Sequence, residues 1–444
     1  MEAILEKIER ALAAIPSPDE PGRFAIAYSG GLDSTVLLAA MRRLGSPGRI
    51  RALHVDHGLH IDSASWREHC RLSAADLGVE FASCAVTVDT GSGVSIEAAA
   101  REARYGALRR MLMPGELLLT AHHRDDQLET VLMRLFRGAG VRGLRGIELH
   151  SENRGLQLVR PLLDVSRDEI REAGKAWGLR WIEDPTNSES GFDRNYLRHD
   201  VIPLLRARWP GVATTAARAA RQMASAQRIL DSVAIADAMA FDAPDRLSQS
   251  ALLDLTPERR ANVLRYLIGE SQLPNPSAIQ LNELMSAIDV RRPDAMTRVA
   301  WPGGEARIFR GVLYLFAPMA PESGPTYEGV LSHDVSWHGP EGVVELRQTA
   351  GEGLPDSWVR QGLTLRFRAG GERFRPLHDA HSRSLKKWLQ VEGVVPWMRS
   401  RIPLLYCGSA LIAVGDLEIS DEIREAESDG PAWAVSWSDH PSLV

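Results

Sequence analysis

The sequence predicts an α/β protein: a doubly wound, mostly parallel sheet, followed by a mainly helical domain and a small β-rich α+β domain. Three observations carry this. Residues 20–165 alternate apolar strand patterns with helical ones. From about Thr214 the periodicity turns helical. Beyond a linker holding Pro318, Pro321 and Pro325, short strand patterns such as Leu363 to Arg368 and Ile402 to Tyr406 take over. The expected domains are residues 1–213, 214–320 and 341–444, with 321–340 as the linker.

Arg23 to Tyr28 reads as a buried strand that ends in Ser29-Gly30-Gly31 before a helix. Ile50 to Val55 and Val79 to Val86 read as the next two strands. Ile96, Ala100, Ala103, Ala107 and Met111 recur at helical spacing. Leu117 to Ala121 returns to strand, and Leu128, Leu132 and Leu135 mark another helix. Leu156 to Val159 makes the last strand, before Arg160-Pro161. Ser166-Arg167-Asp168-Glu169 is a capping box whose helix stops at Gly178. Ala216 to Phe241 is one long helix, and Thr256-Pro257 caps another. Thr297 to Trp301 and Ala306 to Phe316 form a hairpin around Pro302-Gly303-Gly304.

Composition narrows the function. With 444 residues, 44% hydrophobic and 25% charged, the chain is ordinary globular protein, which excludes disorder as its main state. It has no apolar run of about 18 residues, so a membrane span is excluded. The first 15 residues are acidic and amphipathic and lack a signal peptide's basic start, so a cytoplasmic location is expected. The 3 cysteines form no Cys-x-x-Cys pair, which argues against a zinc knuckle, an iron–sulfur site on paired cysteines and a disulfide framework. The net charge of -6 hides basic segments: Arg101 to Arg145 carries 9 Arg against 5 acids, Arg194 to Arg228 carries 7 against 1, and Arg360 to Arg401 carries 10 basic residues against 3 acids. Such segments suit a polyanion, although solvated helix faces give the same counts.

The chemistry concentrates after the strands. Ser29-Gly30-Gly31-Leu32-Asp33-Ser34 joins a strand to a helix. Its glycines admit a close ligand, the helix offers unpaired N–H groups, and Ser29 and Ser34 add hydroxyls. This is a phosphate cradle, but without the Gly-Lys-Ser/Thr of the common P-loop. A carboxylate beside phosphate repels it unless a cation intervenes, so Asp33 is assigned to Mg²⁺. His54 and His57 follow the second strand, His122 to Asp126 a later one, and Arg160 the last. In open parallel sheets ligands bind at these carboxyl ends. Asp126 and Glu129 share one helix face, which suits an ammonium group or a metal, or simply first-turn acids at a helix N-terminus. Arg194 and Arg198 flank Asn195 at i,i+4 spacing and suit phosphate or solvent equally. A metal hydrolase built on His122, His123, Asp125 and Asp126 lacks a matching third cluster of ligands.

The Ser29–Ser34 loop resembles that of the N-type ATP pyrophosphatases, which cleave ATP between the α and β phosphates. A longer set is similar to the tRNA(Ile)-lysidine synthases. It comprises His54 to Leu59, Arg101 to Tyr105, Ala121 to Thr130, Arg137 to Gly140, Arg160 to Leu163, Glu183 to Asn187 and Arg194 to Arg198. It continues through Gly370 to Arg375, Leu385 to Leu389, Val395 to Arg399 and Ile402 to Tyr406, so it spans nearly the whole chain. Asp56 departs from the Asn expected there. The resemblance implies ATP and Mg²⁺, a tRNA(Ile) with a CAU anticodon, and L-lysine. ATP adenylates the first anticodon cytidine at its C2 oxygen, pyrophosphate leaves, and the lysine side-chain amine then displaces AMP. It implies Asp33, Arg101, Asp126 and Glu129 as catalytic, and Ser29, Gly30, Gly31, Leu32, Asp33, Ser34, His54 and His57 around the nucleotide. Asp126, Glu129, Arg194, Asn195, Arg198, Arg373, Arg375, Lys386 and Lys387 are implied for lysine and tRNA. A tRNA 2-thiolating enzyme is the runner-up, but commonly relies on paired cysteines. A catalytically silent RNA-binding protein on the same fold is disfavoured by the retained Ser29, Asp33, Ser34, Asp126 and Glu129. The oligomeric state stays open, a homodimer being one option.

Overall fold

Six strands build the sheet of the first half: β1 (Arg23–Ala27), β2 (Ile50–Asp56), β3 (Glu80–Ala85), β4 (Glu116–Leu119), β5 (His150–Asn153) and β6 (Leu156–Val159). The computed structural model describes residues 2–15, 23–45, 50–56, 58, 62–87, 96–153, 155–183, 193–290, 297–324, 328–332, 334–350, 352–425 and 430–443. His57 and Asp184 to Asn187, singled out in the sequence, lie outside these described residues. The chain divides into two compact units, Met1–Ile229 and Leu230–Val444.

In the first unit the strand order is β3-β2-β1-β4-β6-β5. All neighbours are parallel except β5, which runs antiparallel to β6. Ala25 and Ile26 are successive residues of β1, so they point to opposite faces. Both are fully buried, in different apolar clusters. Helices therefore cover both sides. Residues of α1 (Glu2–Ala13), α2 (Leu32–Leu44), α3 (Ser63–Asp76) and α7 (Arg167–Ala176) pack in the cluster of Ile26. Leu108 of α4 (Ile96–Met111) packs in that of Ala25. Between α4 and α7 lie α5 (Arg124–Phe136) and the short α6 (Val141–Leu144). The chain winds outward from β1 to β3 and then returns to β4, so the carboxyl ends of β1 and β4 flank the topological switch point. The capping box forms as its sequence predicts: Glu169 N–H donates to Ser166 Oγ at 3.2 Å, and Ser166 N–H donates to Glu169 Oε2 at 2.8 Å.

Past α7 come α8 (Asp193–Tyr196), a π-helical turn over Leu197–Val201, α9 (Ile202–Arg208) and α10 (Val212–Ala238). The division between the units falls within α10.

The second unit corrects two expectations. Its helices α11 (Gln249–Asp254), α12 (Pro257–Glu270) and α13 (Ala278–Asp289) pack with a four-stranded antiparallel sheet. That sheet has the order β7 (Arg246–Ser248), β10 (Val312–Phe316), β9 (Gly304–Phe309), β8 (Thr297–Trp301). The expected second hairpin arm is thus two strands. Arg310 and Gly311, at φ 49 and 77, reverse the chain between them, and two consecutive positive φ values are what a tight type I′ turn requires. The expected linker also carries strands, β11 (Glu328–Leu331) and β12 (Trp337–Gly339). The remainder holds β13 (Gly342–Thr349), α14 (Asp356–Gln361), β14 (Leu363–Arg366), β15 (Arg373–Phe374), β16 (Arg383–Ser384) and α15 (Leu385–Val391). It closes with β17 (Leu404–Cys407), β18 (Ala410–Val414), β19 (Glu418–Ile419) and β20 (Ala432–Ser438). Trp397 packs edge-on to Tyr314 at 5.4 Å between ring centres and joins the middle sheet to these last elements. Among the described residues no helix is long and apolar enough to cross a membrane.

Candidate active site

The loop after β1 is shaped by its glycines. Gly30 sits at φ 80, and a Cβ there would lie 2.6 Å from Cys70 Sγ and 2.9 Å from Ile182 Cδ1. Only glycine fits. Burial pushes the Cys70 thiol up to about 12, so it packs under the loop as an inert apolar group. The Ser29 and Ser34 hydroxyls are 3.0 Å apart, and Ser34 donates to the Gly31 carbonyl at 3.1 Å. No side chain caps α2 at Gly31. The first N–H groups of this helix are therefore open to an anion at its positive dipole end. His54, expected near the nucleotide, is buried and donates from Nδ1 to the Tyr28 carbonyl at 2.9 Å. Burial holds it below the usual histidine range, so it is neutral and pins the residue that precedes the loop.

Asp33 lies in the first turn of α2. Its Oδ1 is buried without a hydrogen-bond partner, and its Oδ2 is 3.7 Å from His123 Nε2. His123 caps α5, with Nδ1 accepting the Asp125 N–H at 3.2 Å. If Nδ1 accepts, the proton of a neutral ring sits on Nε2. That nitrogen also faces Asp126 Oδ2 at 3.5 Å. One buried imidazole therefore stands between the phosphate loop of β1 and the acids that follow β4. Its connecting position was missed in the sequence, where His123 was one polar residue among five.

Asp126 and Glu129 are both buried. Glu129 accepts from Arg194 Nε at 2.6 Å and from Arg198 Nε at 2.7 Å. Asp126 accepts from Arg194 Nη2 at 2.9 Å and from the His123 N–H at 2.9 Å. Arg194 and Arg198 thus face the acids, whereas the sequence reading turned them to phosphate or solvent. Buried carboxylates need cations, and the π-helical turn after α8 sets the two arginines side by side. Asn195 is half-buried between them. Asp125 is held apart: it accepts the Arg167 N–H at 2.8 Å and pairs with Arg206.

His122 and Arg160 complete the edge. His122 is half-buried, with Nδ1 2.8 Å from Thr120 Oγ1. Burial lowers its pKa to about 4; Asp126 opposes this, and Arg160, Arg194 and Arg101 add to it. The unfolded value is about 6.5. Between those limits the unfolded chain binds a proton that the native state refuses, so stability is full above the upper limit and falls as pH drops toward the lower. Replacing His122 by Gln should flatten this slope by up to about 1.4 kcal/mol per pH unit. Urea unfolding between pH 6.5 and 4 reads it, and parallel curves for the two proteins would refute it. Arg101 is exposed, with its guanidinium 5.1 Å from the Tyr105 ring centre.

A divalent cation fits this edge in one way. Among the described residues no group of three or more His, Cys, Asp or Glu could hold a metal ion. Mg²⁺ commonly takes one or two carboxylates and completes its shell with phosphate and water. The unpartnered Oδ1 of Asp33 suits that role.

In the second unit Lys386 and Lys387 are exposed at the start of α15. Arg373 donates to the Ser382 carbonyl at 2.6 Å, and Arg375 is 3.7 Å from Asp421. Arg366 pairs with Glu328 at 2.8 Å and Arg368 with Glu372 at 3.6 Å, so part of the basic charge is internally paired.

Comparison with known proteins agrees with this layout. Residues 4–205 match the family model of the PP-loop domain, 247–314 that of the TilS substrate binding domain, and 363–437 that of the TilS substrate C-terminal domain. The chain is 38% identical over 430 residues to a tRNA(Ile)-lysidine synthase of Coxiella burnetii, covering 96% of each protein. It is 39% identical over 399 residues to that of Alkalilimnicola ehrlichii, covering 89% of each. It is 36% identical over 408 residues to that of Pseudomonas putida, covering 88% of this chain and 92% of the relative. Residues 4–205 thus form the ATP-binding PP-loop domain of an ATP-dependent ligase, and the chain belongs to the tRNA(Ile)-lysidine synthase family.

Proposed function

We propose that the protein joins L-lysine to C2 of the first anticodon cytidine of a CAU-anticodon tRNA(Ile), in the cytoplasm, using ATP with Mg²⁺. In the first step the cytidine C2 oxygen attacks the α-phosphate and pyrophosphate leaves. In the second the lysine side-chain amine attacks C2 and AMP leaves. One observation carries the reading: Asp33 and Asp126 approach the same His123 nitrogen, at 3.7 and 3.5 Å. Phosphate chemistry and the acids suited to an ammonium substrate therefore share one site. The loop N–H groups and the Ser29 and Ser34 hydroxyls bind phosphate. Asp33 would hold the cation, and the chemistry that ion would supply is charge stabilisation of the pyrophosphate. Asp126 and Glu129 draw the amine toward the adenylated base, in the field they share with Arg194 and Arg198. Incubating protein, tRNA, ATP and L-lysine should give AMP, pyrophosphate and a lysine-bearing cytidine in equal amounts. AMP without lysine incorporation would overturn the reading, as would a requirement for a sulfur donor.

Lys386 and Lys387 contact tRNA phosphate. Both are exposed, and neither has an ion-pair partner among the described residues. Changing both to Ala should make the log–log salt dependence of tRNA binding shallower by about 0.7 to 0.9 per contact. ATP affinity should stay the same. Filter binding across a salt series measures the slope, and an unchanged slope would assign these lysines to solvation alone.

A further inference from the structure

We propose that Arg160 grips the α-carboxylate of the incoming amino acid, a specificity contact that rests on the reading above and deepens it. Arg160 follows β6 and is only 7% exposed. Its Nη1 donates to the Glu148 carbonyl at 2.8 Å and to Ser151 Oγ at 2.9 Å. Both acceptors are neutral. Its Nε is buried with no partner. Glu148 pairs with Arg145 at 3.2 Å and acts on Arg160 only through its field, so no carboxylate among the described residues forms an ion pair with Arg160. A buried cation without a counter-charge is costly, and a folded chain tolerates one where a ligand completes it.

The neighbours indicate which anion. Leu119 and Val159 pair across β4 and β6, which sets Thr120 beside Arg160 at the carboxyl edge. His122, bonded to Thr120, feels Asp126 on one hand and Arg160, Arg194 and Arg101 on the other. The site thus holds the carboxylates of Asp126 and Glu129, which Arg194 and Arg198 partly offset, at one end and positive charge at Arg160 and Arg101 at the other. That polarity matches an amino-acid zwitterion carrying a second amine. A phosphate belongs elsewhere: the loop follows β1, two strands from β6, about 10 Å away at ordinary strand spacing. A guanidinium is also planar and takes a carboxylate through two parallel hydrogen bonds.

The test compares L-lysine with cadaverine, which keeps both amines and lacks the carboxylate. The KM of L-lysine and the Ki of cadaverine as its competitor are measured on the same sample, so their ratio does not depend on the active fraction. Wild type should prefer L-lysine strongly. Arg160→Gln should raise the L-lysine KM roughly ten- to hundredfold, as loss of a charged hydrogen-bond pair does. Its cadaverine Ki should hardly move, and adenylation of tRNA should continue at its normal rate. Arg160→Lys should recover part of the preference. Equal weakening of both amines would overturn the proposal in favour of a scaffold role toward Glu148 and Ser151. A loss confined to adenylation would overturn it in favour of phosphate. Cadaverine matching L-lysine on wild type would also overturn it. A wild type that adenylates tRNA yet incorporates no lysine would instead fell the functional reading, and this inference with it.

Discussion

Asp33→Ala should lose at least about a thousandfold in adenylation rate, the scale of metal-assisted charge stabilisation, and keep its tRNA affinity. The geometry separates this from a structural role. A carboxylate in the first turn of a helix adds only about 0.3–1 kcal/mol through the dipole. Asp33 makes no hydrogen bond through its buried Oδ1, and its Oδ2 stands 3.7 Å from His123. The mutant should therefore unfold within about 1 kcal/mol of wild type while its chemistry is gone. Asp33→Asn keeps the shape and should fail nearly as badly, because the charge is what the cation requires. Calorimetry supplies a second readout: added Mg²⁺ should tighten ATP binding to wild type and do little for either mutant. Near-normal adenylation by Asp33→Ala would remove this residue from the mechanism.

Local signals made the first half legible. The strands from Arg23 onward declared themselves by apolar runs, and Ser166 and Glu169 by their spacing, because both patterns act within a few residues. The Gly30-Gly31 turn was readable for the same reason. β5 was not, since His-Ser-Glu-Asn has no apolar alternation and pairs only because β6 offers it an edge. The reversal at Arg310-Gly311 hid inside what looked like one long strand. The largest omission concerns Arg194 and Arg198. Their i,i+4 spacing was visible, but their partners lie more than sixty residues earlier, and tertiary packing alone brings them together. Arg160 was noted for its place after a strand. That no carboxylate among the described residues pairs with it is a property of space, which no spacing rule reveals.

Glu129→Ala should cost about 2–4 kcal/mol of stability as well as most of the activity. Breaking a buried pair by removing one partner costs roughly 3–5 kcal/mol when both are enclosed. Here Glu129 is enclosed, with its side chain 2% exposed, whereas those of Arg194 and Arg198 are 28% and 22% exposed and recover some hydration. Hence the lower figure. The mutant deprives both guanidinium groups of the Glu129 carboxylate and leaves Asp126 beside them. Burial would raise the Asp126 carboxyl, but His123, Arg194, His122 and the His123 N–H together hold it below its usual range. Its contribution is therefore complete above the unfolded carboxylate value and is lost only as pH falls through the depressed native one. At neutral pH the mutant keeps that part, so its deficit reports the missing Glu129 charge. A quadruple change of Asp126, Glu129, Arg194 and Arg198 to Asn, Leu, Met and Met removes the four charges together and should recover most of the stability, as apolar replacement of buried ion pairs often does. It should recover no lysine transfer, because the carboxylate that draws the amine is gone. Urea unfolding and single-turnover transfer from preformed adenylated tRNA read the two effects separately. If the quadruple mutant regains transfer along with stability, the cluster is scaffold, and the amine is held by other residues.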